Sequence, residues 1–334
     1  MKRYAFGLLI IGLLSAFACI ACGSTADAPP ATDGDSAETL ETLDGDTEAE
    51  NAEAETEAET EAEPDPLIAL YGDLRPKPGP TLHQRLGVAT HMDQGTGDNA
   101  DRNFELATYK KMGGLRIRED FSWSSIEPTE GDWHFEGLDT QVALARANDV
   151  KMIALLDYGV GWAMSDGTPN SIDPAVFARF AGKVAEHFCA DIKDYEVWNE
   201  QNTARFWAPT PDPGHYGALL AASYTAIKQA CPDARVLFGG LCSMTTDAWM
   251  GKRWWFLDDM KTAYPDICSA FDVMALHPYT YAQAASPEQD YSLGKTLPMQ
   301  SQPEMTRMAK EKLKALGCPD KPLSFTEMGW PSYD

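Results

Sequence analysis

Basic residues are scarce in this sequence: 27 Lys and Arg stand against 51 Asp and Glu, a formal net charge of −24. Nucleic-acid binding rests on Lys and Arg neutralising phosphates, so a chain this acidic is not expected to bind nucleic acid. Histidines are few and scattered, six in all, with no HExxH, and the CxxC at Cys19 to Cys22 lies in the apolar N-terminal segment with no second pair; no metal centre is expected. No Gly-rich phosphate fingerprint opens the helix after the first strand, so a nucleotide-type cofactor is not expected either. Long apolar runs are also missing. The most continuous one covers residues 4–17, short of the roughly 20 residues that a membrane-spanning helix needs.

That run follows Lys2 and Arg3 and ends in small residues and cysteine, which is the layout of a signal peptide over residues 1–21. Its end, Cys19-Ile20-Ala21-Cys22 followed by Gly23-Ser24, resembles a bacterial lipobox with Cys22 as the lipidated residue. Cys19 stands where that pattern usually has Leu, so cleavage before Cys19 is a competing site, and an ordinary cleaved signal is the plainer alternative. The resemblance implies export and a lipid anchor in the cell envelope. Gly23 after the cysteine matches the outer-membrane sorting pattern.

Residues 22–66 are expected to form a disordered tether. From Gly23 to Pro66 the chain is rich in Ala, Thr, Glu and Asp, includes the near-repeat EAETEAETEAEPDP, and has no Lys, Arg or aromatic residue. Such a composition cannot bury enough apolar surface to fold. Sixteen of the acidic residues fall there; without them and without Lys2 and Arg3, the rest carries 35 acidic against 25 basic residues. Most of the acidity therefore belongs to the tether.

Residues 67–334 are long enough for one large domain. Short runs rich in Val, Ile and Leu predict strands at 86–91, 114–118, 150–157, 193–200, 235–240, 271–277 and 323–327. Amphipathic stretches between them predict helices such as 174–188, 216–230 and 303–316. Strand alternating with helix implies a parallel sheet. Seven such units in one domain point to a (β/α)₈ barrel, an α/β fold of the TIM type. Only Met328 to Asp334 follow the seventh strand, so the barrel is expected to stop after strand seven and to lack strand eight. A barrel stopped there would leave two unpaired edges.

Several predicted strands end in polar groups, and the C-terminal ends of barrel strands are where such folds keep their chemistry. The fourth reads DYEVWNEQN, placing Asn199 and Glu200 at its lip, and the seventh reads PLSFTEMGWPS, placing Glu327 in the same layer. Two carboxylates on strands four and seven face each other across the barrel mouth. Glu196, Trp198 and Glu200 alternate along one strand, so Glu196 is the competing acid; adjacency to Asn199 favours Glu200. Arg116 and Arg118 share a face, and Arg118 is preferred because it lies nearer the lip. His91 and Asp157, ending strands one and three, either line the pocket or are structural. Trp123, Trp162, Trp207 and Trp330 fall in loops after strands two, three, four and seven; of these, Trp330 and Trp207 are expected to face a ligand.

This pattern resembles glycoside hydrolase clan A, in which Asn-Glu ends strand four and a second Glu ends strand seven. LRIREDFSWSSIEPTEGDWHF, Leu115 to Phe135, is similar to the Arg-containing strand and loop of families five and thirty-nine, and FDVMALHPYTY carries His277 and Tyr279 in a similar His-x-Tyr. GWPS after Glu327 also resembles plant-type β-1,3-glucanases of the same clan. The resemblance implies a retaining hydrolase of O-glycosidic bonds, expected to be β, in oligo- or polysaccharides. Glu200 would be the acid/base and Glu327 the nucleophile, with Arg118 and Tyr279 around Glu327, Asn199 on the sugar 2-hydroxyl, Trp198 or its neighbours in a partly apolar surround of Glu200, and Trp330 and Trp207 as faces for sugar stacking. A non-catalytic, cell-surface carbohydrate-binding barrel and a transglycosylase on the same site are the alternatives. The sugar, the linkage and the oligomeric state are not legible.

Seven cysteines are present, two of them in the signal region. Cys189, Cys231, Cys268 and Cys318 each follow a predicted helix and precede a strand, at the bottom of the barrel, and one or two bridges are expected among them. Cys242, at the opposite end of strand five, is expected to stay outside the bridges.

Overall fold

The structure is a computed structural model and describes residues 86–90, 92, 99–242, 254–279, 291–293, 297–299 and 301–329. The signal and lipidation segment with Cys22, the tether, His91 and Trp330 lie outside the described residues. All described residues belong to the unit Ala62–Asp334.

Among the described residues nine strands occur in chain order: β1 (Gly87–Ala89), β2 (Arg116–Ser122), β3 (Lys151–Asp157), β4 (Asp194–Asn199), β5 (Arg235–Cys242), β6 (Val273–His277), β7 (Tyr291–Leu293), β8 (Leu297–Met299) and β9 (Leu323–Phe325). Strands β7 and β8 form a separate antiparallel pair that the sequence did not suggest. The other seven make one sheet in the order β1-β2-β3-β4-β5-β6-β9, parallel throughout. Helices α1 (Asn99–Lys111), α2 (Trp123–Ile126), α3 (Glu136–Ala147), α4 (Pro174–Phe188), α5 (Pro213–Ala230), α6 (Trp255–Ala263) and α7 (Gln302–Leu316) fill the crossovers.

The sheet is strongly curved. Laid flat, β2 and β9 would stand five strand spacings apart, about 24 Å, yet the Arg118 Nη1 of β2 lies 2.7 Å from Glu327 Oε1 just beyond β9. The seven strands are thus seven staves of the (β/α)₈ barrel, with no eighth strand between β1 and β9 among the described residues.

Local chemistry explains where the helices begin. Asp173 caps α4 by accepting from Ala175 N, and Asp212 caps α5 by accepting from Gly214 N and His215 N; in each helix a proline follows the cap, where its missing N–H costs nothing. Helix α7 starts from Ser301 and ends at Gly317, whose φ of 95° suits glycine. On the helix side of the sheet, Phe121, Leu156, Tyr195, Val197 and Phe238 pack on Phe177, Phe180 and Leu219, all fully buried. Each large apolar side chain so buried contributes about 1.5–3 kcal/mol.

Two departures from the expected strands matter for the site. Strand β2 runs four residues past the expected end at Arg118; Glu119 and Asp120 read as loop, but Phe121, fully buried against Phe188, carries the strand on. Arg118 therefore sits in mid-strand and not at the lip. On β4 the inside–outside alternation breaks at Trp198, whose φ is 70°. The break sends the Trp198 ring outward against Phe177 and Trp207, and turns Asn199 and Glu200 inward.

Disulfides join Cys189 to Cys231 and Cys268 to Cys318. All four half-cystines lie at the N-terminal end of the strands, below the barrel. Cys242 is buried at the other end of β5, in neither bridge.

Candidate active site

The barrel interior is organised around one guanidinium. Arg118 Nε donates to Glu196 Oε2 at 2.7 Å and Nη2 to Glu196 Oε1 at 3.2 Å. The same Nη2 donates to Asn199 Oδ1 at 2.8 Å, and Nη1 to Glu327 Oε1 at 2.7 Å. Burial works to lower the Arg118 pKa, but the charges of Glu196 and Glu327 outweigh it and hold the group above its ordinary value. Arg118 stays charged at every working pH and aligns three side chains from two strands.

Glu196 is fully buried. Besides Arg118 it accepts from Gly240 N at 2.8 Å and Thr326 Oγ1 at 3.0 Å. Both Glu196 oxygens are engaged as acceptors in a fully buried layer, so the side chain has no surface to offer a ligand. Glu327 is the more open member, with 22 % of its side chain accessible. Tyr279 donates to Glu327 Oε2 at 3.0 Å. Burial works to raise the Glu327 pKa, but the charges of His277 and Arg118 and the hydrogen bonds from Tyr279 and Arg118 outweigh it and hold the carboxyl below its ordinary value. Tyr279 is pushed up, first by burial and then by the Glu327 charge, and stays a donor.

Glu200 sits across from Glu327, its φ at 47°. Left-handed backbone at two non-glycine residues, Trp198 and Glu200, is strain of the kind that folds retain at working sites. The expected apolar neighbour is corrected: the Trp198 ring is enclosed on the helix side, and its Nε1 donates to Phe206 O at 3.1 Å. His277, fully buried, is a polar neighbour of Glu200, with Nδ1 3.0 Å from Glu200 Oε1. One carboxylate oxygen each from Glu200 and Glu327 and a ring nitrogen of His277 lie within 4.8 Å of one another. This is the one His/Cys/Asp/Glu set with metal-like spacing found among the described residues. A cation there would face the guanidinium already 2.7 Å from Glu327, and the like charges would repel, so the trio suits carboxylate chemistry better.

Asn199 has both ends of its carboxamide defined. Its oxygen accepts from Arg118, and Nδ2 donates to the Tyr158 hydroxyl at 3.0 Å. Among the described residues no partner is seen for the second Nδ2 hydrogen. Asp157 is buried at the adjoining lip of β3.

Space for His277 comes from β5. A Cβ on Gly240 would lie 2.0 Å from His277 Nε2, and one on Gly239 would lie 2.5 Å from Val197 O. The register between β5 and β6 shifts at this point. Glycine pairs inside strands mark such close approaches, and FGG at 238–240 was the readable signal. Nothing in the sequence singled out Thr326 or Tyr158.

Trp207 is a further correction. Its ring is fully buried, packed on Trp198 and Tyr216, with Nε1 donating to Asn170 Oδ1 at 2.6 Å, so it has no face for a sugar. Trp123 is likewise core, stacked on Phe180. Trp162 is partly accessible and donates to Glu127 O at 2.9 Å.

Comparison with known proteins gives a consistent picture of the fold. A family model described as beta-galactosidase, glycoside hydrolase family 42, matches residues 92–155. No curated protein matches the chain. Among solved structures, a family 39 glycoside hydrolase from Bacteroides cellulosilyticus WH2 is 21 % identical with a TM-score of 0.53, over 74 % of this chain and 50 % of that one. A monomeric beta-xylosidase from Caulobacter crescentus CB15 is 19 % identical with a TM-score of 0.54, over 75 % and 53 % of the two chains. The beta-glycosidase BGL167 is 17 % identical with a TM-score of 0.53, over 75 % and 79 %. This chain thus spans about half the length of the first two. At these identities the likeness establishes the fold, which is that of the barrel in the family 39 glycoside hydrolase structures.

Proposed function

We propose that the protein is a retaining glycoside hydrolase that cleaves O-glycosidic bonds, β-linked, in oligo- or polysaccharides, with Glu327 as nucleophile and Glu200 as acid/base. The observation that carries this reading is the pair of carboxylates whose oxygens lie within 4.8 Å across the barrel mouth. Retaining enzymes hold their two carboxyl groups about 5–5.5 Å apart, whereas inverting ones leave room for a water at about 6.5–9.5 Å.

The environments divide the labour. Glu327, held below its ordinary carboxyl pKa by His277, Arg118 and Tyr279, attacks the anomeric carbon and forms a glycosyl ester. Glu200, in contact with His277, gives its proton to the leaving oxygen. In the second half-reaction Glu200 takes a proton from water, and the resulting hydroxide displaces Glu327 from the sugar. The remaining Nδ2 hydrogen of Asn199 is placed for the sugar 2-hydroxyl, a contact that strengthens in the transition state.

The test is chemical rescue. Glu327→Ala should cost turnover about 10⁵–10⁶-fold, and azide should restore it with release of a glycosyl azide of inverted anomeric configuration. Glu200→Ala should spare the first step on aryl glycosides with good leaving groups. If both variants keep near-normal activity on every substrate of a panel of aryl glycosides, β-glucans and xylans, the assignment is lost. Retention of sugar with no release of aryl alcohol would indicate a binding barrel instead.

We propose also that the chain is exported and held at the cell envelope by lipid on Cys22, on the strength of the lipobox-like end and the tether. Several acyl chains bind stably where one binds weakly. Cys22→Ala should release the protein from membranes; unchanged partitioning and cleavage would remove the proposal.

A further inference from the structure

The hydrogen bonds around His277 fix which of its nitrogens carries hydrogen. The side chain is fully buried, with Nε2 3.1 Å from Thr326 Oγ1 and Nδ1 3.0 Å from Glu200 Oε1. Thr326 has one hydroxyl hydrogen and two neighbours. Its oxygen lies 3.0 Å from Glu196 Oε1, a carboxylate ion-paired with Arg118 that has no hydrogen to give. Were the hydroxyl hydrogen turned toward His277, two bare oxygens would face each other at that distance. It therefore points to Glu196, and the contact with His277 is made by an Nε2 hydrogen. Two more negative oxygens favour a hydrogen there: Nε2 lies 3.8 Å from Glu327 Oε1 and 4.0 Å from Glu196 Oε1.

We propose that Thr326 is a positioning residue for the proton donor of this site: by accepting a hydrogen bond from Nε2 and donating its own to Glu196, it directs Nδ1 of His277 at Glu200. A hydrogen lies on the Nδ1 to Oε1 line, because lone pairs on both atoms would repel. In the first half-reaction that hydrogen is delivered, through Glu200 Oε1, to the leaving oxygen, which leaves Nδ1 and Oε1 facing each other bare; their repulsion makes the pair the base that takes a proton back from water in the second half-reaction, so the cycle closes with no net change in the pair. The four groups Glu196, Thr326, His277 and Glu200 form one chain from the ion pair in the barrel interior to the acid at its mouth. Gly240 leaves the gap that the imidazole needs, since a Cβ there would lie 2.0 Å from Nε2.

The inference rests on the hydrolase reading, and its test separates the two. Thr326→Val in the full chain keeps the side-chain shape and removes the hydroxyl; Thr326→Ser keeps the hydroxyl. Two substrates with the same sugar are compared, one with a dinitrophenyl leaving group that needs no proton and one with an alkyl leaving group that does. Thr326→Val should lower kcat/KM for the alkyl glycoside about tenfold or more beyond any loss on the dinitrophenyl glycoside, and Thr326→Ser should restore most of it. In a Glu200→Ala background the valine change should add nothing to the loss on the alkyl glycoside. Equal losses on both substrates, or none, would overturn the proposal and leave the hydrolase intact. An unaltered enzyme inactive on both, with no azide rescue of Glu327→Ala, would remove the hydrolase reading itself. Should the valine variant not fold, Thr326→Ala against Thr326→Ser supplies the same contrast.

Discussion

Two arginines stand two residues apart on the same face of β2, and each reaches a carboxylate of β4, yet they belong to different worlds. Arg116 bonds Asp194 at 2.8 Å, and Arg235 closes on the same carboxylate at 2.6 Å. That layer carries two cations to one anion, and its arginines are 32 % and 53 % accessible. Arg118 bonds Glu196 at 2.7 Å and then Glu327, and in that layer one cation faces two anions, with Arg118 only 5 % accessible. The lower layer is neutralised twice over and opens to water. The upper layer keeps one negative charge in excess, on Glu327, where a ligand could meet it. An identical pairing thus serves cohesion at one end of the strands and chemistry at the other, and the third partner decides which.

The largest effect should come from removing the upper cation. Arg118→Met leaves Glu196 buried and unpaired, which should cost about 3–5 kcal/mol of stability in denaturant unfolding, along with turnover. Arg118→Lys keeps a charge but not the fork, and it should move the acid limb of kcat/KM. In the unaltered protein Glu327 is depressed, so the limb should lie below the ordinary carboxylate value of about 4.3. With the fork lost, the limb should move up in pH. The stability counterpart has the same sign: a depressed carboxylate stabilises the fold above its unfolded pKa, and that contribution is lost as pH falls through the folded one. A limb that stays in place in Arg118→Lys would mean that Arg118 does not hold the nucleophile's charge.

The disulfides below the barrel should come next. Cys189–Cys231 and Cys268–Cys318 close separations of 42 and 50 residues, and each should contribute about 2–4 kcal/mol, chiefly by restricting the unfolded chain. Replacing both cysteines of one pair by serine should lower the unfolding midpoint while kcat/KM holds at temperatures where the fold persists. Thiol counting on denatured, unreduced protein made in an oxidising compartment checks the bridges; free thiols at all five of these domain cysteines, Cys242 included, would abolish them.

These two cases show what the sequence made legible. Strand order, the placing of Glu200, Glu327, Asn199 and Tyr279 at one end and of four cysteines at the other could be read because parallel strands repeat with a fixed polarity: the residue that ends a strand faces the mouth, and the one after a helix faces the floor. Side-chain direction was less legible. A single left-handed residue, Trp198, reversed the alternation on which the neighbour of Glu200 had been inferred, and no local signal marks such a residue unless it is glycine. Arg118 lies nearer the lip than Arg116, as expected, but in mid-strand, and the length of its side chain makes up the distance to Glu327. Trp207 looked like a loop aromatic but is fully buried, since a Trp in a loop that folds back on α5 meets other rings before it meets solvent. Thr326 was invisible because a hydroxyl acquires a role only from what it is placed between.

Smaller in scale is the steric test of the upper layer. Gly240→Ala puts a methyl 2.0 Å from His277 Nε2, so the imidazole must shift and take the contacts with Glu200 and Thr326 with it. A displacement of about 1 Å in a supporting group can cost about 10²-fold in rate, and that is the expected loss in kcat, with the Cys189–Cys231 end of the molecule unaffected. Full activity in Gly240→Ala would show that His277 has slack that the packing does not suggest.

The smallest effect should come from the lower cation, and it bears most directly on the contrast between the layers. Arg116→Gln removes one of two guanidinium partners of Asp194, leaving Arg235, which bonds both carboxylate oxygens at 2.6 and 2.7 Å. The anion is never stranded, and Arg116 is partly open to water, so the loss should be about 1 kcal/mol and should shrink further as salt screens the accessible charges. Activity and its pH dependence should not move, because no hydrogen bond connects Arg116 or Asp194 to Arg118, Glu196 or Glu327 among those described. A double variant, Arg116→Gln with Arg118→Lys, should be additive in stability for the same reason. Strong coupling between the two would mean that the layers communicate through the strands they share, and the division of the barrel interior into a cohesive floor and a chemical mouth would have to be given up.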